Sequence, residues 1–439
     1  MRVVFRVDSS LEIGTGHVMR CLTLGEYLRN NGVDVSFICR KHSGNLISKV
    51  ISKGFHIFEL ELLDSPINDH TLFHSHWLGV TQQQDAEQSK DILKKLKPDW
   101  LVVDHYALDH EWESELKNLS NKLMVIDDLA DRKHNCDMLL DQTFGRNEEH
   151  YKELVPKSCE VLIGAEYSLL RPDFSTWRPY SLKKRINPTF KTLLIALGGV
   201  DAENHTEDIL IRLMNCTLPK DIKVTIVLGR LAPHLQGVKT RVKKLNYEAE
   251  IKVDIENMAE VMANSDLAIG AAGSSTWERC CMGLPTIQVI LAKNQVFLAE
   301  SLAKIDAAVI IDEPNTLESL INNSFSWMHH VSISSSKITD GTGACKVGDQ
   351  MTKGMVKVRL EEFGEVNLIN YVNMNRYEQS YVLKMRNEHS VKRWMYSQQD
   401  ISDQEHYNFI QKLNTNREAL YFLVKFKSTI VGSINFSNI

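Results

Sequence analysis

Short apolar runs separated by amphipathic stretches fill most of the chain. Val3 to Val7 is such a run, followed by Glu12-Ile13-Gly14-Thr15-Gly16; Val18, Cys21, Leu22, Gly25 and Leu28 then recur at helical spacing, with Gly32 where a C-cap glycine belongs. The pattern predicts strand, turn and helix. Val33 to Cys39 reads as a second strand and Ser43 to Lys53 as a helix ending at Gly54. Trp100 to Asp104 and Leu123 to Asp127 are apolar runs ending in Asp, the pattern of strands buried on both faces of a parallel sheet. Their carboxylates then lie at the carboxyl edge, where open α/β sheets bind ligands.

The pattern restarts after Arg171 to Pro188, a polar stretch with Pro172, Pro179 and Pro188 that reads as an interdomain connection. Leu193 to Leu197 is a new first strand followed by Gly198-Gly199, and residues 222–228, 250–253, 267–269, 286–290 and 307–311 continue the β series. The fold class expected is α/β with two Rossmann-like domains, whose crevice is a natural ligand site. A second break, Ile333 to Val366, precedes a polar helix containing Met385, Arg386 and Asn387, and a hairpin of Tyr421 to Phe426 and Ile430 to Phe436 joined at Lys427-Ser428-Thr429. This is an α+β unit. The expected division is 1–170, 171–352, a linker at 353–366, and a partial unit at 367–439.

Composition narrows the function. The 439 residues carry 51 Lys and Arg against 56 Asp and Glu, a net charge of −5. Nucleic acid and anionic membrane surfaces are therefore poor partners. The apolar runs are too short and too often broken by charge for a transmembrane segment, and Met1 to Asp8 reads as a strand, not a signal peptide. Eight irregularly spaced cysteines form no CxxC pair, which disfavours a zinc ribbon or disulfide framework and suits a reducing cytoplasm.

Two segments could carry chemistry. Gly14-Thr15-Gly16-His17 joins the first strand to its helix, and amides at such a helix start attract anions. Met19 holds the third glycine position of a dinucleotide fingerprint, so that function is disfavoured. The positive helix end favours a neutral His17 imidazole ready to accept a proton, although a plain hydrogen bond to a loop carbonyl is an equal reading. Gly270 to Glu278 also follows a strand and opens a helix: Gly273, Ser274 and Ser275 suit a phosphate, and Glu278 suits a ribose diol. An N-cap with a first-turn acid is the simpler alternative there. Gly198-Gly199-Val200-Asp201 reads as a loop facing the same cleft, bringing Gly199 there, or as a plain glycine turn, and Asn294-Gln295 caps its helix or reaches the ligand. Asp104, Asp127 and Asp128 lack the spacing of a metal cage; Asp127 and Asp128 read as caps or loop anchors.

The stretches GTGHVMRC, DHY, IDDLADRKHNCDMLLDQT, GAEYSLLRP, LGGVDAEN and GAAGSSTWERCCMGLP resemble, in this order, the UDP-sugar hydrolases of pseudaminic acid biosynthesis. The resemblance covers residues 1–352, apart from Leu60 to Gln88. It implies GT-B architecture, shared with glycosyltransferases, and hydrolysis of the anomeric C–O bond of a UDP-linked 2,4-diacetamido-2,4,6-trideoxy sugar with inversion at C1. It implies His17 as the catalytic residue. Gly14, Gly16, Tyr106, Gly199 and Asn294 would line the sugar site, and Gly273, Ser274, Ser275 and Glu278 would hold UDP. Neither cofactor nor metal is implied. The alternatives are a UDP-sugar transferase of the same fold and a non-catalytic nucleotide-sugar binder. Arg386-Asn387, Trp394-Met395, His406 to Ile410 and the final YFLVKFKSTIVGSINFSNI resemble the start of a GNAT-type N-acetyltransferase. The pyrophosphate loop of that family would lie past Ile439, so acetyl-CoA binding by this segment alone is not expected.

Overall fold

The computed structural model describes residues 1–63, 72–311, 316–353, 355–360, 364–392, 399–413, 419–426 and 429–437. Trp394 and Met395, and the Lys427-Ser428 turn, lie outside them.

The first sheet is fully parallel. Its strands are β1 (Arg2–Val7), β2 (Asp34–Arg40), β3 (His56–Leu60), β4 (Trp100–Asp104), β5 (Lys122–Ile126), β6 (Met138–Asp141) and β7 (Glu160–Ile163), in the order β3-β2-β1-β4-β5-β6-β7. Alternate residues of β1 enter two cores. Val3, Phe5 and Val7 pack with Val18, Cys21, Leu24 and Leu28 of helix Gly16–Asn30, while Val4 packs with Ala86 and Leu93 of helix Gln82–Leu96. Burial on both faces explains the near-continuous apolar runs.

The second sheet is also parallel: β8 (Thr192–Ala196), β9 (Lys223–Leu228), β10 (Glu248–Val253), β11 (Leu267–Ala271), β12 (Thr286–Val289) and β13 (Val309–Ile310), ordered β10-β9-β8-β11-β12-β13. Strand order reverses between β1 and β4 in one sheet and between β8 and β11 in the other. These switch points are where such sheets bind ligands.

The breaks differ from the expectation. Arg171 to Pro188 is mostly a helix, Pro172–Lys184, with Pro172 in its first turn, where the missing N–H costs nothing. Ile333 to Val366 holds the end of helix Ser324–Ser336 and then helix Gly343–Met351. Ala344, Val347 and Met351 of that second helix join the core of the first domain, so the chain returns there after completing the second. Within the expected linker at 353–366 the described residues include strand β14 (Met355–Leu360) and the beginning of β15 (Gly364–Asn370). With β16 (Ala419–Phe426) and β17 (Thr429–Ser437) they form a four-stranded antiparallel sheet in chain order. Asn375 Nδ2 donates to Asp99 Oδ1 at 2.5 Å. Asp99 immediately precedes β4, so this unit docks on the amino edge of the first sheet, away from the ligand-binding edge.

Candidate active site

The first switch point carries His17. Beyond β1 the chain makes a tight turn closed by Gly14 N–H to Ser10 O at 2.9 Å, with Gly14 at φ +80°, a conformation natural to glycine. The helix then starts at Gly16, placing His17 beside the end of β4, where its Nδ1 lies 2.6 Å from Asp104 Oδ1. Arg20, one turn along the same face, grips both oxygens of Asp104, with Nε to Oδ2 at 2.7 Å and Nη2 to Oδ1 at 2.8 Å. Its Nη1 reaches Asp128 Oδ2 at 2.5 Å, and the Tyr106 hydroxyl donates to that same oxygen at 2.8 Å. Burial alone would raise the pKa of Asp104, but the charges of Arg20 and His17 outweigh it and hold the carboxyl well below its ordinary range. A fixed carboxylate at Nδ1 selects the tautomer with the proton there and leaves Nε2 as the accepting nitrogen. His17 thus bonds a buried acid rather than a loop carbonyl.

The second switch point carries the Gly270 to Glu278 segment. β11 ends at Ala271, and helix Ser275–Cys281 follows. Beneath the turn lies Arg279, 2% exposed. Its Nη2 donates to Ala271 O at 2.6 Å and its Nη1 to Ser275 Oγ at 2.9 Å. Burial lowers its pKa to about 10, with Cys280 and Glu278 acting in the opposite direction. A Cβ at Gly270 would stand 2.5 Å from Arg279 Nη1, so the guanidinium requires glycine there. A buried cation beneath the turn gives the loop above it a positive field suited to a diphosphate. Glu278 is half-buried, and burial pushes its pKa up to about 7.

These two turns meet across the cleft. A Cβ on Gly16 would lie 3.1 Å from Ser274 Oγ, and one on Gly199 would lie 3.8 Å from Thr15 Oγ1. Gly14, Gly16, His17, Gly199, Gly273, Ser274 and Ser275 therefore belong to one neighbourhood, with Tyr106 packed edge-on against His17 at 4.6 Å between ring centroids. Asn294 lies exposed in the turn Lys293–Gln295, and its side chain pairs with none of the others among the described residues. Its neighbour Gln295 is tied to the loop by Leu291 N–H at 2.9 Å.

Arg20 and the positioning role of Asp104 escape a linear reading, although Arg20 stands three residues after His17 and hence on its helix face. Asp127 is a loop anchor, accepting from Ala130 N–H at 2.9 Å and from Arg132 at 2.8 Å. Asp128 does more, joining Arg20 to Tyr106. Among the described residues no group of three or more His, Cys, Asp or Glu is arranged to hold a metal ion.

Residues 198–330 match the glycosyltransferase family 28 C-terminal domain. The crystal structure of MurG from Acinetobacter baumannii superposes with a TM-score of 0.59, covering 80% of this chain and 99% of that one at 16% identity. The chain has the GT-B fold. Among curated proteins, the UDP-2,4-diacetamido-2,4,6-trideoxy-beta-L-altropyranose hydrolase of Campylobacter jejuni is 28% identical over 305 residues, 69% of this chain and 97% of its own length. An uncharacterised protein of Methanocaldococcus jannaschii is 25% identical over 305 residues, spanning 56% of its length. The matches in sequence relate this GT-B chain to nucleotide-sugar enzymes of that fold. No helix among the described residues is long and apolar enough to cross a membrane.

Proposed function

We propose that the chain hydrolyses the anomeric C–O bond of a UDP-linked 2,4-diacetamido-2,4,6-trideoxyhexose, releasing UDP and the free sugar. The observation that carries this reading is the His17–Asp104 pair, 2.6 Å apart, set beside the Ser274 turn. UDP would lie along the Gly273 to Ser275 turn with its ribose on Glu278. Water would attack C1 opposite the departing UDP, with inversion. His17 Nε2 takes the proton from that water, and Asp104 stabilises the imidazolium that results. A positioned base of this kind contributes about 10²–10⁴-fold. The loop amides, the serine hydroxyls and the buried Arg279 charge stabilise the negative charge growing on the diphosphate. The name of the Campylobacter relative supports this substrate and reaction.

A second reading is favoured by the match of residues 198–330 to a glycosyltransferase domain. There His17 would deprotonate an acceptor hydroxyl in place of water. Incubation with the UDP-sugar in ¹⁸O-labelled water separates the two. Hydrolysis by C–O cleavage places the label on sugar C1 without any acceptor. UDP release only after an acceptor is added supports transfer, and label in UDP means P–O cleavage and overturns both.

The tail is proposed to be an acetyltransferase-like segment on its sequence resemblance, supported by the helices between β15 and β16 and the β16–β17 hairpin.

A further inference from the structure

The stretch Leu60 to Gln88, outside the resemblance, supplies residues 72–80 to the roof of the first switch point. Trp77 stacks on Tyr106, with centroids 5.8 Å apart and planes at 24°, and its ring stands edge-on to His17 at 6.4 Å. His74 packs on Trp77 at 4.2 Å and reaches Tyr106 at 5.6 Å. The seat is built rather than incidental. Leu78 and Val80 are buried in the first domain's core, and His76 Nε2 lies 2.9 Å from Glu12 Oε1 on the turn that precedes His17.

Two consequences follow for what a ligand meets there. Tyr106 is only 7% exposed and its hydroxyl is committed to Asp128, so the half-exposed Trp77 presents the aromatic surface beside His17. The charged groups around His17 are also committed, Asp104 to His17 and Arg20, and Asp128 to Arg20 and Tyr106. Burial lowers the pKa of His74, which keeps its ring neutral. Arg132, 5.6 Å over the Tyr106 ring, is itself paired with Asp127 and Asp131, which leaves Trp77 as the apolar surface offered beside His17.

We propose that Trp77, backed by His74, is a substrate-contacting specificity residue. It packs against the C–H face and the methyl-bearing substituents of the nucleotide-linked sugar and holds C1 toward His17. Aromatic rings suit this task because a deoxygenated, N-acetylated pyranose presents mostly carbon there. The inference rests on the nucleotide-sugar reading above.

The test titrates UDP and the UDP-linked diacetamido-trideoxyhexose into the full chain in a His17→Asn background, which removes turnover, with and without Trp77→Ala or Trp77→Phe. The expected result is an affinity for the UDP-sugar lowered about tenfold or more by Trp77→Ala and largely kept by Trp77→Phe, with UDP affinity unchanged. An unchanged ratio of UDP-sugar to UDP affinity in Trp77→Ala overturns the role while leaving the nucleotide site intact. Parallel loss of UDP affinity in both variants makes Trp77 structural and also overturns it. Failure of the Trp77-intact chain to bind UDP overturns the nucleotide-sugar reading itself, and this inference with it.

Discussion

Asp104 reaches the chemistry only through its partners. It accepts from His17 and twice from Arg20, and Asn at that position keeps the size while losing the charge that fixes the imidazole. We expect Asp104→Asn to lower kcat by about 10²-fold or more with KM changed little, since ground-state binding does not involve it. Steady-state kinetics on the UDP-sugar check this. Glu278 gives a pH dependence. Burial pushes its pKa up to about 7, so on the proposed pairing of its ionised form with the ribose hydroxyls, nucleotide binding is strongest well above pH 7 and must expel a proton below it. The wild-type affinity for the UDP-sugar, taken relative to that of Glu278→Gln, should therefore fall as pH drops from 8 to 5.5. A flat ratio in calorimetry would refute the assignment. His134 gives a stability dependence instead. Burial opposes its charge, yet Glu113 at 2.7 Å and Asp127 at 3.8 Å outweigh this and raise its pKa from 6.5 to about 9. Its stabilisation is present below pH 6.5 and is lost as pH rises through 9, on the order of 3 kcal/mol in all. Denaturant midpoints across that window should fall in the wild type and flatten in His134→Gln.

At the scale of elements, what could be read along the chain was what repeats locally. The β1 turn and its helix, strands β4 and β5 with Asp104 and Asp127 at or just past their ends, and the glycine turn after β11 are contiguous patterns, and they carry His17 and Ser274 to the cleft. Short elements were not legible: β6 and β7 hold four residues each, too few to establish a period. The Pro172–Lys184 helix hid behind its prolines, although Pro172 sits where a helix tolerates one. Arg20, Asp104, Asp128 and Trp77 converge only because β1 lies beside β4, a neighbour relation set by topology across more than eighty positions. The returning helix Gly343–Met351 shows how close such packing runs. A Cβ on Gly348 would overlap the Tyr27 ring of helix Gly16–Asn30, while Tyr27 donates its hydroxyl to Asp349 at 2.6 Å. We expect Gly348→Ala to cost about 1–3 kcal/mol through overpacking. Thermal unfolding measures it, and an unchanged midpoint would show that the helices separate freely.

Over the whole molecule, the two α/β units share one cleft and the antiparallel unit sits on the far edge of the first sheet. The Campylobacter relative aligns over nearly all of its own length to 69% of this chain, so a chain of that size suffices for what that protein does. Removal of residues 354–439 should accordingly leave UDP-sugar affinity and turnover within about twofold, and a large loss would give the tail a part in the site.

The passage of the chain between the α/β units has a mechanical consequence. It goes out near Ser168 and comes back near Gly341, and the two passages touch: Ser168 Oγ lies 3.0 Å from Thr339 Oγ1, and a Cβ on Gly343 would collide with the backbone of Tyr167 and Ser168. A single tether would allow one lobe to swivel on the other. Two tethers stitched side by side confine any relative rotation of the lobes to one axis, which favours a single register of the Ser274 turn against Gly16.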